Sequence, residues 1–302
     1  MKTTLTTENL KSDISTPRYV LTIQSHVAYG HVGNAAATFP MQLLKIQPIV
    51  INTVQFSNHT GYGEFKGKVF SAAHIEDVLL GLEARGVLNQ CNAVLSGYLG
   101  DAAIGDVILD AVKKIRQSQP QMIYLCDPVI GDVGRGVFVR PGIPEFLKTQ
   151  AIMQATIITP NHFEFELIAK RTFTTVDEVI LSARKLIDQS QYLEAIVITS
   201  LKLPELPNDK LETLLVTKES AFLVETPYHD LNPLPNGMGD TFSAILLSHI
   251  LNQMPIHKAL EHAVSSLYAL VTHTKQGARD LPLIDHQTDI HLPSTLFTSQ
   301  SI

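Results

Sequence analysis

A glycine-rich turn with an acidic residue precedes a long apolar segment late in the chain. It reads Asn-Gly-Met-Gly-Asp-Thr-Phe-Ser over residues 236–243, and residues 244–251 continue as an apolar helical pattern. Gly237 and Gly239 permit a tight turn that leaves main-chain N–H groups free at the start of the helix. Because such groups attract anions, the turn predicts a phosphate-binding site.

Asp240 places a carboxylate inside this predicted anion site. Its charge would repel a phosphate, so its presence indicates a task such as taking the proton of an attacking hydroxyl group. We interpret Gly237, Gly239 and Asp240 as an anion hole with its general base, arranged for phosphoryl transfer. The alternative is structural, with Asp240 capping the helix after a glycine turn.

The composition describes a folded chain and excludes several classes of partner. Of 302 residues, 45% are hydrophobic and 17% are charged, enough to bury a large core. A net charge of −6 without a basic run argues against nucleic-acid binding, and no apolar run reaches membrane-spanning length. Cys91 and Cys126 predict buried thiols in a reducing cytoplasm, and the 12 histidines lack the spacing of a zinc site.

Apolar runs of strand length alternate with helical patterns, which predicts an α/β fold with a mostly parallel sheet covered on both faces. We expect a single domain at residues 18–275, after a frayed N-terminal extension at 1–17 and before a C-terminal tail at 276–302. Pro40 is expected to bend or end the predicted helix 34–44. Predicted strands cover residues 19–23, 49–54, 93–96, 122–126, 157–159 and 195–199, with a hairpin at 211–225. Predicted helices cover residues 34–44, 74–85, 101–117, 176–189, 242–251 and 256–273.

Polar residues follow each predicted parallel strand. Ligands of such sheets bind beyond the carboxyl ends of the strands, so these segments should meet at one edge. The recurrence favours one active site and strengthens the interpretation of Asp240 as a base. The segments are residues 24–26, 55–63, 97–98, 127–132, 159–164 and 199–200, followed by the turn at 237–240.

Asp127, Asp132 and Glu164 are the candidate metal ligands, because Mg²⁺ bound to a nucleotide needs only one or two carboxylates. Glu164 could equally cap a helix together with Asn161 or Thr159, and Asp127 could simply end a strand before a turn.

Two predicted loops can each be interpreted in two ways. Residues 55–62 alternate aromatic and hydroxyl side chains, which suits a flat heteroaromatic ligand, or they form a turn with Phe56 in the core. Residues 131–142 carry Arg135 and Arg140 and form either a flap over phosphates or an exposed hairpin.

Five stretches resemble pyridoxal kinases of the ribokinase-like superfamily, and the resemblance covers roughly residues 18–275. It implies a ribokinase-like three-layer α/β/α sandwich with a mostly parallel central sheet. It also implies ATP-dependent phosphorylation of the 5′-hydroxyl of pyridoxal by a cytoplasmic homodimer. The short connection at 131–142 resembles the second bacterial type of pyridoxal kinase. The stretches are residues 23–27 with Gly33-Asn34, 52–62, 126–132, 158–164 and 237–240.

Roles for individual residues follow from the same resemblance. The pyridoxal pocket would contain Ser25, Phe56, Thr60, Tyr98 and the base Asp240. The nucleotide would contact Asp127, Thr159, Asn161, Glu164, Thr199, Ser200, Gly237 and Met238. Mg²⁺, and K⁺ as a monovalent candidate, would be held by Asp127, Asp132, Thr159 and Glu164. Met238 departs from the threonine of many members and removes a hydroxyl contact to the nucleotide.

Three other functions stay open. A hydroxymethylpyrimidine kinase is opposed by the segments 24–26 and 58–60, and a sugar kinase by Phe56 and Tyr98, which suit a flat ring. A protein that binds pyridoxal or its phosphate with feeble turnover is opposed by Asp240 and the two glycines, and weakly supported by Met238.

Overall fold

The computed structural model describes residues 17–302, and ten of its strands form one mixed sheet in the order β12-β11-β10-β9-β8-β5-β4-β1-β2-β3. The predicted N-terminal extension lies outside the described residues except for Pro17. The strands are β1 (Arg18–Tyr29), β2 (Ile46–Asn58), β3 (Gly67–Val69), β4 (Cys91–Ser96), β5 (Ile123–Cys126), β6 (Gly131–Asp132), β7 (Gly136–Val137), β8 (Ile157–Ile158), β9 (Ala195–Leu201), β10 (Lys210–Thr217), β11 (Ala221–Pro227) and β12 (Gln300–Ser301).

Helices cover both faces of the sheet. Residues 147–151 form a π-helical turn between two short helical segments, and residues 60–62 and 88–90 form 3₁₀ turns. The helices are α1 (Asn34–Leu43), α2 (Ala72–Ala84), α3 (Ala103–Ser118), α4 (Ile143–Phe146), α5 (Ile152–Gln154), α6 (His162–Ala169), α7 (Val176–Gln189), α8 (Met238–Leu251), α9 (Ile256–Thr272) and α10 (Gln287–His291).

The sheet core is parallel, as predicted. Strand β1 pairs in parallel with β2 and β4, and the parallel pairing continues through β5, β8 and β9. The antiparallel strands lie toward the two edges, where β10 and β11 form the predicted hairpin. The carboxyl ends of the parallel strands therefore meet along one edge, where the predicted site segments begin.

Two separate hydrophobic clusters pack against the two faces. Leu21 belongs to one cluster, together with residues of α2, α3 and α7, and the adjacent Val20 belongs to the other, with residues of α1, α8 and α9. Successive side chains of a strand point to opposite faces, so an all-apolar strand requires a helical layer on each side. The predicted three-layer α/β/α sandwich is confirmed.

The boundaries of the long helices agree with the sequence pattern to within four residues, the largest difference being α8, which begins at Met238 instead of residue 242. Helix α7 spans the predicted Val176–Gln189, and the Thr175 hydroxyl caps it by accepting from the N–H of Glu178. Pro40 does not end α1, which continues to Leu43 with Pro40 buried. In the part of the chain that the structure describes, no helix combines the length and the apolar content of a membrane span.

Residues 276–302, predicted as a tail, contain α10 and β12. Strand β12 pairs with β11 through Ser301 and Phe222, and Ile290 of α10 is fully buried. These elements were missed because two to five residues are too few to show a periodicity. The domain boundary at residue 275 stays a prediction.

Candidate active site

The segments that follow the parallel strands lie side by side at one edge of the sheet. The N–H of Gly97 donates to the carbonyl of Ile23, and that of Asp127 donates to the carbonyl of Ser96. Further along, Asn161 forms a parallel bridge with Thr199. These contacts join the ends of β1, β4, β5, β8 and β9 into one rim.

The glycine turn opens α8 as predicted. Gly237 has the left-handed φ of 77°, and a Cβ atom there would lie 1.9 Å from the carbonyl oxygen of His31, so only glycine fits. Helix α8 begins at Met238 without any side-chain cap, and its first turn closes when the N–H of Thr241 donates to the Gly237 carbonyl. The preceding N–H groups are therefore available to an anion.

Asp240 does not cap its own helix. Its Oδ2 accepts a hydrogen bond of 2.7 Å from the N–H of Gly33, which precedes α1. Burial raises the pKa of Asp240, and the Gly33 N–H acts in the opposite direction by stabilising the ionised form. Since Oδ2 is already engaged, Oδ1 is the oxygen available to a reacting group.

Asp127 lies opposite this turn, and a Cβ atom on Gly239 would be 3.5 Å from its Oδ2. The side chain is buried. Burial raises its pKa well above the ordinary value, and the charges of Glu164 and Asp240 add to the effect, while the Ser243 hydroxyl opposes it. The carboxylates of Asp127, Glu164 and Asp240 thus lie close enough to interact electrostatically, which favours binding of a cation.

Glu164 is buried and anchors the loop that follows β5. It forms a capping box with Asn161, in which Glu164 Oε2 accepts from the Asn161 N–H at 2.9 Å. Its Oε1 accepts from the N–H groups of Ile130 at 2.8 Å and Gly131 at 3.3 Å. Burial raises the pKa of Glu164 to about 7, although these N–H groups act in the opposite direction. The capping interpretation is confirmed, and the role of Glu164 toward metal or nucleotide stays a prediction.

The other predicted nucleotide residues follow β8 and β9 or open α8. The Thr159 hydroxyl lies 3.0 Å from that of Ser243, which connects it to the surroundings of Asp127. The Asn161 amide donates to the Gly131 carbonyl at 2.8 Å. Thr199 lies beside Asn161, and Ser200 has a left-handed φ of 51°, a strained conformation for a residue with a Cβ atom. Met238 is partly buried against the second hydrophobic cluster.

Ser25 lies at a bulge in β1, between Gln24 and His26 in the pairing with β2. A Cβ atom on Gly33 would be 2.4 Å from the Ser25 hydroxyl, so serine and glycine are in close contact. The hydroxyl makes none of the hydrogen bonds found in residues 17–302 and is free for a ligand. Gly33 therefore separates the predicted substrate contact Ser25 from the predicted base Asp240.

The remaining predicted pocket residues line the adjacent loops. The Phe56 ring lies 4.8 Å from that of Phe65 and is only partly buried, so it is not a core residue. Thr60 is exposed and begins the 3₁₀ turn at 60–62. Tyr98 is half-buried, and its carbonyl accepts from the Thr53 hydroxyl at 2.7 Å.

Asp132 lies apart from the buried carboxylates. It is exposed in the β6–β7 hairpin and accepts from the N–H of Val133 at 2.7 Å, although its charge still contributes to the raised pKa of Glu164. The hairpin also carries Arg135, whose charge is among the effects that lower the pKa of His59, after burial. The exposed-hairpin interpretation of this segment is therefore confirmed, and its role as a flap over phosphates stays a prediction.

Asp280, which comes after the last predicted helix, is a site residue that was not predicted from the sequence. Asp280 Oδ1 accepts from the His31 N–H at 2.8 Å, and Oδ2 accepts from the Tyr62 hydroxyl. The adjacent Arg279 donates to the Gly61 carbonyl at 2.8 Å, and its own carbonyl accepts from the Asn236 N–H at 2.8 Å. This segment ties three loops of the site together, and no motif in the sequence marks it.

Ser243 was missed for a different reason. It is buried one turn into α8 and reads as part of an apolar helix, yet its hydroxyl lies beside Thr159 and Asp127. Its position three residues after Asp240 places it on the same face of the helix, and this spacing was the available signal.

Comparison with known proteins gives a consistent result. The family model described as phosphomethylpyrimidine kinase matches residues 64–283. The chain is 44% identical over 281 residues to pyridoxal kinase PdxY of Rubrobacter xylanophilus, covering 92% of this chain and 95% of that protein. It is 43% identical over 289 residues to pyridoxal kinase PdxY of Deinococcus radiodurans, covering 95% and 97%.

Solved structures agree in fold. Pyridoxal kinase from Leishmania donovani in complex with ADP and ginkgotoxin superimposes with a TM-score of 0.87 at 29% identity, over 94% of this chain and 99% of that one. Pyridoxal kinase from Entamoeba histolytica gives a TM-score of 0.87 at 26% identity, over 95% and 100%.

Proposed function

The chain belongs to the pyridoxal kinase family, and from this premise we propose that it transfers the terminal phosphoryl group of ATP to the 5′-hydroxyl of pyridoxal. One observation carries the proposal. Gly33 contacts the Ser25 hydroxyl on one side and donates its N–H to Asp240 on the other, so a free hydroxyl and a held carboxylate flank one glycine. A pyridine ring held at Ser25 would bring its hydroxymethyl arm within reach of Asp240.

Asp240 acts as the general base. Its Oδ2 is held by the Gly33 N–H, which leaves Oδ1 to accept the proton of the 5′-hydroxyl as its oxygen attacks the terminal phosphorus of ATP. The pKa raised by burial makes the carboxylate a stronger base than a carboxylate in water, and the Gly33 N–H keeps it ionised.

The N-terminus of α8 stabilises the charge that develops on the transferred group. The N–H groups of Met238, Gly239 and Asp240 precede the first closed helical turn and have no side-chain cap. They are fixed before the reaction begins, so little reorganisation is needed when charge develops. Gly237 is required because its carbonyl closes the turn from a left-handed conformation.

The site fits Mg²⁺ bound with ATP. Burial, followed by the charges of Glu164 and Asp240, raises the pKa of Asp127, and a bound cation would offset this concentration of negative charge. Asp127 would hold the ion, with Glu164 and Thr159 beside it, and the ion would neutralise phosphate charge. We also propose that Asp132 helps to hold K⁺. The exposed β6–β7 hairpin would bring Asp132 over the phosphates when the hairpin closes over the site.

The nucleotide and the substrate occupy different loops of the rim. Asn161, Thr199, Ser200 and Met238 would contact ATP from the ends of β8 and β9 and the start of α8. Phe56, Thr60 and Tyr98 would enclose the pyridine ring, since a flat ligand needs aromatic contact and a few fixed polar groups.

A second candidate is phosphorylation of hydroxymethylpyrimidine, which the matching family model favours by its description. The residues that contact the ring would determine which of the two substrates is accepted, because Asp240 and the anion hole could act on either alcohol. The two relatives described above, which match more than nine-tenths of this chain, are pyridoxal kinases, and we therefore place this activity second.

A side-by-side assay tests the proposal. ATP consumption is measured with pyridoxal, pyridoxine, pyridoxamine and hydroxymethylpyrimidine at equal concentrations, with Mg²⁺ and with K⁺ or Na⁺. We expect the highest kcat/KM for pyridoxal. Faster turnover of hydroxymethylpyrimidine would assign the second function, and binding of pyridoxal without turnover would indicate a binding protein.

We also propose a cytoplasmic homodimer. Cys91 and Cys126 are buried thiols, and burial raises the pKa of Cys126 to about 12, which suits a reducing compartment where they stay unreacted. Light scattering on the purified chain measures the oligomeric state directly.

A further inference from the structure

A second cluster of ligand atoms lies outside the phosphoryl-transfer site. His273 follows helix α9, and His286 directly precedes the short helix α10, which contains Asp289. Asp289 Oδ2 lies 3.5 Å from Nε2 of His273 and 3.7 Å from Nδ1 of His286. The three ligand atoms lie within 4.8 Å of one another, and none of the three residues contributes to the strand-end rim.

The two measured separations, 3.5 and 3.7 Å, are close to those between ligands of one metal ion. Two ligands at about 2.0–2.2 Å from a tetrahedral Zn²⁺ lie about 3.3–3.6 Å apart. The two imidazole rings are stacked, with centroids 3.8 Å apart and planes at 11°, so the lone pairs of their nitrogens lie in nearly parallel planes. One ring must turn for both nitrogens to face one ion, and the side chains have room to do so because they are 44% and 34% exposed.

Within the part of the chain that the structure describes, the three ligand atoms make no hydrogen bonds to other groups. The Asp289 side chain is only 14% exposed, yet within residues 17–302 its carboxylate accepts no hydrogen bond and has the two imidazoles as its neighbours. A largely buried carboxylate that accepts no hydrogen bond is unfavourable, and a cation between it and the two imidazoles would compensate it. Two imidazoles with one carboxylate are the donor set preferred by Zn²⁺, Co²⁺ and Ni²⁺ over Mg²⁺.

We propose that His273, His286 and Asp289 bind a first-row transition-metal ion such as Zn²⁺, with water completing its coordination on the exposed side. The chain between the two histidines carries Arg279 and Asp280, which hold the loops of the active site through Gly61, His31 and Tyr62. The ion would cross-link both ends of residues 274–285. It would thereby restrict the motion of the segment that holds Asp280 at the rim.

Direct metal binding tests the site. The full-length chain without a polyhistidine tag is stripped with a chelator and titrated with Co²⁺ in excess Mg²⁺ and without nucleotide, so that oxygen-rich sites do not compete. We expect one equivalent of Co²⁺ with visible absorption bands. The variants His286→Ala and Asp289→Asn should each lose at least about tenfold in affinity, since even outer-shell changes cost that much.

His291→Ala is the matched control, because His291 is an exposed histidine of the same short helix. It should bind Co²⁺ as the wild-type chain does. Absence of Co²⁺ binding by the wild-type chain, or binding unchanged in His286→Ala, would overturn the proposal and leave only an imidazole–carboxylate contact. If His286→Ala does not fold, His273→Gln, at the more exposed position, takes its place. Unchanged Co²⁺ binding in His273→Gln would then overturn the proposal.

Proteolysis gives an independent readout. Lys275 and Arg279 are trypsin sites between the two histidines. Zn²⁺ should slow cleavage at both sites and raise the melting temperature of the wild-type chain, because a ligand of the folded state stabilises it. Neither effect should occur in His286→Ala, which also controls for any action of Zn²⁺ on the protease.

Discussion

The main-chain N–H of Gly33 donates a 2.7 Å hydrogen bond to Asp240 Oδ2, although 207 positions separate the two residues. The contact joins the loop before α1 to the first turn of α8. It positions the carboxylate through a main-chain donor, so no side-chain donor is needed. Gly33 has a left-handed φ of 54° and touches Ser25 so closely that no Cβ atom would fit. A main-chain donor at a glycine thus orients the proposed base beside the proposed substrate contact.

Replacement of Asp240 by asparagine should abolish turnover while pyridoxal still binds. Asparagine keeps the shape but cannot accept the hydroxyl proton, and general base catalysis is typically worth about 10²–10⁴-fold. Turnover is measured under saturating ATP, and pyridoxal binding by calorimetry. Asp188→Asn, on an exposed residue of α7 paired with Lys218, is the control and should retain the wild-type rate. A near-normal rate in Asp240→Asn would disprove the base assignment.

Replacement of Ser25 by alanine should weaken pyridoxal binding by about 0.5–1.5 kcal/mol, the usual range for one neutral hydrogen bond. The Ser25 hydroxyl has no partner within residues 17–302, so its removal leaves no protein group unpaired. ATP affinity should hardly change. Calorimetry with equal losses for both ligands would mean that Ser25 supports the fold rather than the substrate.

Met238→Thr should tighten ATP binding by about 1 kcal/mol, because a threonine hydroxyl adds one hydrogen bond to the nucleotide. The rate at saturating ATP should change little, since the main-chain N–H groups of the turn are retained. The methionine packs against the second hydrophobic cluster, so the melting temperature should fall slightly. An ATP Michaelis constant that stays flat or rises would show that packing of Met238 matters more than the lost hydroxyl.

Asp280→Ala should raise the KM for pyridoxal about tenfold and leave that for ATP nearly unchanged. The aspartate accepts from Tyr62 and from the His31 N–H, and hydrogen bonds to charged groups contribute about 1.5–3 kcal/mol. A double-mutant cycle with Tyr62→Phe measures the coupling, and Asp285→Ala, at an exposed position of the same loop, is the control. Additive effects of the two substitutions would show that the contact does not position the substrate loop.

His249 should make the fold sensitive to acid. Burial, followed by the neighbouring His262, lowers the pKa of His249 from 6.5 to about 4. The unfolded chain therefore binds the proton more readily, and the free energy of unfolding should decrease as pH falls from 6.5 toward 4, by at most about 3 kcal/mol.

Above pH 6.5 His249 should have no such effect. Urea unfolding at pH 7.5 and 4.5 measures the difference, which should shrink in His249→Leu and persist in His229→Gln, a control at an exposed histidine. Equal acid sensitivity in wild type and His249→Leu would assign the effect to other groups.

Most of the fold could be predicted from local patterns. Apolar strands such as 19–23 and amphipathic helices such as 176–189 have periods that the backbone geometry imposes. The layers of the fold could therefore be predicted without knowledge of the tertiary contacts. Gly237 could be recognised because a turn before a helix needs a left-handed residue. The polar residues after each strand could be assigned to one edge because parallel strands all end on the same side.

The tertiary structure decided which of these residues meet. Asp240 is held by Gly33, Asp280 reaches Tyr62 and His31, and His273 meets His286 and Asp289. Apart from the local spacing of His286 and Asp289, these contacts follow no period or motif, because they join segments whose approach depends on how the whole sheet packs. The residue types were visible in the sequence, whereas the distances between the side chains are set by how the segments that carry them pack together.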